Sequence, residues 1–301
     1  MIAQNRFAEL EPLLQEYVGE HPGSWQGYYQ LGYVYFRMHK ISASVEALAK
    51  SLQLNLKNAE AHKILGLNLT IVSKYDEAQL ELEEAARLKP DSAEIRYFLG
   101  RIYYVRNVFP LAKREFEEAI RLKPDFMKAH DNLGLTLEAL MDDEGAMAHY
   151  QKAIALNEKQ KAPSEWPYIN VSAFYNRKNQ PDLALAYSQK AIAVNPRSDA
   201  AHFEAAKAHA TRKEYEQAAK SLEEAVKFNP GSTKYRYMLS NTYRKLGRIE
   251  ESRREMEVFR KLQSEELELF HRASRKRMGG VPARPENEAH RPPEDPAYKN
   301  N

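Results

Sequence analysis

Chemistry needs nucleophiles, acids, bases or metal ligands at short range, and the candidates here are histidines and paired carboxylates. His202 and His209 lie seven residues apart, which on a helix misses the i, i+4 spacing that lets two imidazoles share a zinc. Glu83-Glu84, Glu117-Glu118 and Glu223-Glu224 recur at one place of a repeated pattern. A recurring pair reads as a solvated face rather than as a general acid and base. No G-x-x-x-x-G-K-S/T phosphate loop, G-x-G-x-x-G dinucleotide loop or G-x-S-x-G nucleophile elbow occurs. The chain has no cysteine, so disulfides, thiolate nucleophiles and cysteine zinc sites are excluded. No cofactor or metal is expected, and an enzyme is the least supported class. The sequons Asn68-Leu69-Thr70 and Asn170-Val171-Ser172 fall in segments read as helical and are read as accidental.

The elements that carry these residues must be helices. The 301-residue chain is 43% hydrophobic and 29% charged, with 12 Gly and 15 Pro. Its abundant Ala, Leu, Glu, Lys and Arg favour helix at nearly every site. A net charge of +3 is too small to imply nucleic acid. No apolar run approaches the ~18 residues of a transmembrane helix. The start, MIAQNRFAELEP, lacks the apolar core of a signal peptide. A cytoplasmic location is expected, or a periplasmic one if a signal peptide precedes this chain.

The helices repeat. Leu31-Gly32, Leu65-Gly66, Leu99-Gly100 and Leu133-Gly134 stand 34 residues apart. Pro90 and Pro124 keep that interval, as do Pro196 and Pro230, but Pro124 to Pro196 is 72 residues. A four-residue insertion therefore falls between them, placed at Lys161-Ala162-Pro163-Ser164. Apolar residues recur at three and four spacings, as in Phe116, Ala119 and Ile120. Small residues let a second helix approach the first, and proline closes the second helix. Pro110 and Pro181 sit where second helices should begin.

The full pattern, for example Leu99-Gly100, Tyr103, Ala112, Phe116, Ala119 and Pro124, resembles the tetratricopeptide-repeat (TPR) family. The resemblance covers about Trp25 to Ser264, with units at 25–58, 59–92, 93–126, 127–160, 165–198, 199–232 and 233–264. Ser172, Ala206 and Ser240 replace the glycine in later units. The resemblance implies an all-α, right-handed α-solenoid of about seven helix-turn-helix repeats. His62, His130 and His202 share one place in their units; equivalent places in a solenoid sit far apart, so they read as packing residues at a helix crossing. Residues 1–24 are expected to be a partial repeat or N-terminal cap, from an array that begins upstream or with a natural half-unit. Residues 265–278 are expected as a capping helix continuing or following the last second helix. The Pro-rich stretch 279–301 is expected to be disordered.

In this family the second, fifth, ninth, twelfth and thirteenth residues of each unit face a concave groove. The resemblance thus implies a peptide surface of Tyr29, Tyr33, Phe36 and Arg37, then Lys63, then Tyr97, Arg101 and Tyr104. The fourth unit presents Lys128, Asp131, Leu135, Glu138 and Ala139. Trp166, Asn176 and Arg177 follow, then Phe203 and Lys207, then Lys234, Tyr237, Asn241, Arg244 and Lys245. The second half projects as basic, with no acid from the fifth unit on. The expected function is a non-catalytic scaffold that binds an extended peptide or helix of a protein partner, with acidic and apolar side chains. The competing reading is that the tyrosines fill space between first helices and the lysines are solvated. The lysine and asparagine clamp by which some members grip a C-terminal carboxylate is not assembled: Tyr29 and Tyr33, then Lys63 and Leu67, hold its places. An alternative is a regulatory or substrate-presenting array of a larger protein. Arg272, Arg275, Lys276 and Arg277 read as the cationic end of a helix; nucleic acid is not an expected partner.

Overall fold

The computed structural model describes residues 6–277, with side chains as far as Glu268; the stretch 279–301 lies outside the described residues. The described residues form fifteen helices in sequential antiparallel pairs. They are α1 (Phe7–Glu20), α2 (Trp25–Arg37), α3 (Ile41–Leu54), α4 (Ala59–Ile71), α5 (Tyr75–Leu88), α6 (Ala93–Val105), α7 (Phe109–Leu122) and α8 (Met127–Ala139). There follow α9 (Asp143–Asn157), α10 (Trp166–Arg177), α11 (Pro181–Val194), α12 (Asp199–Thr211), α13 (Tyr215–Phe228), α14 (Thr233–Lys245) and α15 (Ile249–Arg277). The expected all-α repeat fold is the one observed. The helices fall into two compact units, residues up to Phe228 and residues from Asn229.

Each repeat is started, turned and tied by a few residues. Ser24, Asn58, Ser92 and Ser198 cap α2, α4, α6 and α12, their side-chain oxygens accepting from the amide three residues on. Pro110 and Pro181 lie in the first turn of α7 and α11. The turn between first and second helices places one residue in the left-handed region: His39, Ser73, Asn107, Met141, Asn179, Lys213 and Gly247, at φ from +55° to +74°. The next amide then reaches a carbonyl five residues back, as from Lys74 to Leu69 at 2.9 Å and Val108 to Tyr103 at 2.8 Å. Only one of the seven is glycine, so composition does not mark this turn.

The recurring histidines tie the loop between repeats. His62 Nε2 lies 3.0 Å from the Leu56 carbonyl, His130 Nε2 3.1 Å from that of Pro124 and His202 Nε2 3.0 Å from that of Pro196. Arg96 and Arg236 donate from the same place to the carbonyls of Pro90 and Pro230. Most also reach the second helix of their own repeat. His62 meets Glu81 at 2.6 Å, Arg96 meets Glu115 at 2.9 Å and Arg236 meets Glu255 at 2.7 Å. In the fourth repeat His130 and His149 stack with Nδ1 atoms 3.0 Å apart.

Within residues 6–228 one apolar core runs from Leu48 to Phe174 without a break. It is tight where helices of a pair cross. A Cβ on Gly134 would meet the Tyr150 ring at 2.6 Å, and one on Gly66 would meet Leu82 at 2.8 Å. Tyr150 and Leu82 are fully buried. Where serine replaces the glycine it stays paired: Ser172 Oγ donates to the Ala184 carbonyl at 2.7 Å. In the unit from Asn229, Tyr235, Leu239 and Tyr243 are buried and Ser240 Oγ donates to the Ser252 carbonyl. Here α15 continues through 265–277 as one helix of 29 residues, about 44 Å long at helical rise.

Gly134→Ala should lower stability by about 1–2 kcal/mol, overpacking Tyr150 by more than the helix propensity it gains. Lys213→Gly should raise it by about 1 kcal/mol by removing left-handed strain. Denaturant melts followed by circular dichroism check both.

Candidate ligand-binding groove

Within residues 6–228 the first helices lie side by side: α2 touches α4, α4 touches α6, α6 touches α8, α8 touches α10 and α10 touches α12. Three adjoining depressions open on the face they share. One, of about 370 Å³, spans α6, α8 and α10 and is lined by Tyr97, Arg101, Met127, Lys128, Asp131, Asn132, Leu135, Ser164, Trp166, Pro167 and Asn170. A second, of about 380 Å³, meets it at Leu135 and adds Tyr104, Glu138, Ala139, Met141, Arg177 and Lys178. A third, of about 260 Å³, shares Tyr97, Met127 and Lys128 and extends to Phe98, Phe126 and Gln160.

The connection that carries the insertion contributes Ser164 to the first hollow and Gln160 to the third. The connection from α9 to α10 covers residues 158–165, against 123–126 between α7 and α8. Asn157 pins the longer loop, donating to the Ser164 carbonyl at 2.7 Å and accepting from the Ser164 amide at 2.8 Å. Glu165 accepts from Asn195 at 2.9 Å. Trp166 at the start of α10 is thereby held at the rim, 54% exposed.

The sequence-projected residues divide into three groups. Arg101, Tyr104, Trp166 and Arg177 line the depressions, together with Lys128, Asp131, Leu135, Glu138 and Ala139. Others pack as the competing reading held. Tyr29, Tyr33 and Phe36 are half-buried against the core. Arg37 lies 4.7 Å over the Phe7 ring and donates to the Tyr33 hydroxyl at 2.9 Å. Tyr97 is only 6% exposed, wedged among Phe98, Phe116 and Phe126, so it presents an edge rather than a face. The third group, in the unit from Asn229, stands apart. Tyr237 is half exposed with its ring 5.6 Å from Phe259. Arg244 donates to Asn241 at 2.8 Å, Lys234 lies 5.0 Å from the Tyr235 ring, and Lys245 is exposed.

Much of the projected positive charge is already paired. Arg177 holds Glu138 with two donors, one at 2.6 Å, and Glu138 also accepts from the Tyr150 hydroxyl at 3.0 Å. Lys207 meets Glu204 at 2.9 Å beside the Phe203 ring, and Asn176 donates to Glu204 at 2.7 Å. Lys63 sits between Glu60 and Glu94 at 2.6 and 2.7 Å. No projected place from the fifth unit on is acidic, but Glu204, 8% exposed and outside the projected places, pairs with Lys207. By contrast, the recurrent pairs Glu83-Glu84, Glu117-Glu118 and Glu223-Glu224 lie on second helices. Glu84, Glu118 and Glu224 meet the base three residues on, Arg87, Arg121 and Lys227, as a solvated face would.

Asp131, like Glu138, is a depression-lining acid that the sequence projection placed in the groove without singling it out. It is 6% exposed. Its Oδ2 accepts from Asn170 Nδ2 at 2.9 Å, and its Oδ1 has no partner among the described residues. Burial pushes its pKa up to about 6, against the hydrogen bond from Asn170. Burial also raises the phenols of Tyr97 and Tyr104, so both stay neutral donors. Among the described residues no group of three His, Asp or Glu is placed to hold a metal. No described helix is long and apolar enough to cross a membrane.

Two family models, both described as tetratricopeptide repeat, match the chain: one over residues 72–109, 105–163 and 175–233, the other over 26–58 and 233–257. The chain belongs to the tetratricopeptide-repeat family. Arrays of this family are generally protein-interaction scaffolds and typically non-catalytic. No curated protein matches this TPR chain in sequence. Solved structures share its fold. A chain of the Cut9-Hcn1 hetero-tetramer of the APC/C superposes with TM-score 0.68 at 19% identity, covering 79% of this chain and 46% of that one. Yeast Tom70 gives 0.64 at 16% identity, covering 90% and 59%. The type IV pilus biogenesis factor PilW gives 0.59 at 19% identity, covering 65% and 90%. The TPR array thus spans about half the length of the Cut9-Hcn1 chain it matches.

Asp131→Asn should stabilise the protein at neutral pH. The folded-state pKa lies above the unfolded value, so the native state binds more protons between pH ~4 and ~6 and loses stability as pH rises through that window. The variant lacks this loss. Its advantage over the parent should grow by roughly 2–3 kcal/mol from pH 4 to pH 7, read from paired denaturant melts.

Proposed function

We propose that this chain is a non-catalytic scaffold that binds an extended segment of a protein partner along the face shared by its first helices. The observation that carries this reading is the coincidence of the depressions with the groove places of successive repeats. Positions two, five and nine of the fourth repeat, Lys128, Asp131 and Leu135, all open into one hollow with Trp166 at its edge. Aromatic area at a rim with few degrees of freedom is the composition of binding hot spots. Adjoining hollows along one line suit a chain of side chains better than a compact small molecule.

A preference for acidic side chains is narrower than the count of bases suggests. Arg177, Lys207 and Lys63 are engaged with Glu138, Glu204, Glu60 and Glu94, so attraction of a carboxylate falls to Arg101 and Lys128 at the first hollow. Arg101 lies 5.9 Å from the Tyr97 ring and is exposed, able to turn toward a ligand. Reversing Arg177 would expel Glu138 from its pair and report on folding as much as on binding.

Trp166→Ala combined with Arg101→Glu alters the rim without touching buried packing. Proteins retained by the immobilised chain from native lysate should fall at least tenfold in the double variant. They should persist in an Arg121→Ala control on a second helix. An unchanged set of retained proteins would refute the groove.

A further inference from the structure

The hollow between α6, α8 and α10 has an uneven polar inventory. Among the described residues Asp131 is the sole carboxylate lining it, and one of its oxygens is buried without a partner. A buried acceptor left unpaired is costly and is normally satisfied by protein, by ordered water or by what binds there. Donors line the same hollow: Arg101 on α6 and Lys128 on α8, beside Asn170, whose amide holds the other Asp131 oxygen, and Asn132, whose amide donates to the Lys128 carbonyl. Met127, Leu135 and Trp166 supply apolar wall.

We propose that this hollow is a specificity pocket for a carboxamide side chain, glutamine or asparagine, of the bound peptide. The proposal rests on the groove reading above. A lysine or arginine entering the hollow would gain one carboxylate but meet two cations. A glutamate would gain the cations but press its charge against Asp131. A carboxamide resolves both conflicts: its NH2 donates to Asp131 and its carbonyl accepts from Arg101 or Lys128. Its methylenes lie against Leu135 and Trp166. At about 370 Å³ the hollow has room for an apolar neighbour of the same peptide as well. Sites built to hydrogen-bond a ligand group discriminate strongly against analogues that leave their buried groups unpaired.

Asp131→Asn inverts the polarity at nearly constant shape. Its amide oxygen can keep the bond from Asn170 while its NH2 takes the unpartnered place. A displayed library of random 12-residue peptides is selected on the full chain and on this variant. The parent should enrich glutamine or asparagine at one register, and the variant should shift that register toward glutamate or aspartate. Synthetic peptides from the parent selection should bind at least fivefold more weakly when the carboxamide is changed to glutamate or to lysine. With 5-fluorotryptophan incorporated, they should move the Trp166 resonance and leave that of Trp25, the other tryptophan of the chain, in place. The same residue enriched on both proteins, lysine or glutamate enriched on the parent, or a silent Trp166 would overturn the pocket. If the rim variant still loses its retained proteins in that case, the groove stands and only the carboxamide assignment falls. If those proteins persist, both readings fall together.

Discussion

Where the helices of the first four repeats cross, a first-helix glycine lies against a second-helix side chain with no room for one more carbon. Leu48, Leu82, Phe116 and Tyr150 each lie within 2.9 Å of where a Cβ would stand on Gly32, Gly66, Gly100 and Gly134. Much else follows from that closeness. It lets one ring or isobutyl group fill the gap between two helices and the first helix of the next repeat, so that single repeats with little core of their own share a continuous one. It also brings first helices into mutual contact, and their shared face becomes a surface on which short stretches of different repeats can act together.

That surface is polar in a self-compensated way. Taking an ion out of water costs several kcal/mol, on the order of the whole stability of a small domain, unless a partner and hydrogen bonds replace the solvent. Glu138 and Glu204 meet this condition through Arg177, Tyr150, Lys207 and Asn176. Such bonds reach across repeats: Glu138 belongs to the fourth and Arg177 to the fifth. They hold neighbouring repeats in register while using up charge that would otherwise attract a ligand. Asp131 departs from the pattern, with one bond where Glu138 has three, and it does so beside the loop that breaks the 34-residue period. The longer connection leads directly into Trp166 at the edge of the hollow, and the later repeats keep the 34-residue period.

Composition and period made the helices, the pairing and the glycine crossings legible, because each depends on residues close in sequence or on a strict interval. The insertion at Lys161–Ser164 was legible for the same reason, as a slip of the proline ladder. The role of His62, His130 and His202 was half legible. Their common place argued for structure over metal, but the bond to a carbonyl six residues back needs the loop's path. The left-handed turn went unread, since six different residue types occupy it and only Gly247 advertises the conformation.

By itself, then, the sequence determined an array of paired helices, and its family resemblance offered a set of positions to propose as ligand-facing. Hydrophobic spacing and small residues leave few other ways to bury its apolar stripes. Tertiary structure decided which of those positions remain available. Pairing between repeats depends on tertiary distance: it joined Arg177 and Lys63 to acids 39 and 31 residues away, whereas Lys207 meets Glu204 three residues back on its own helix. Packing buried Tyr97 among three phenylalanines and left one Asp131 oxygen without a hydrogen bond among the described residues. A residue type shows what charge it carries. Only its neighbours in space show whether that charge is already spent.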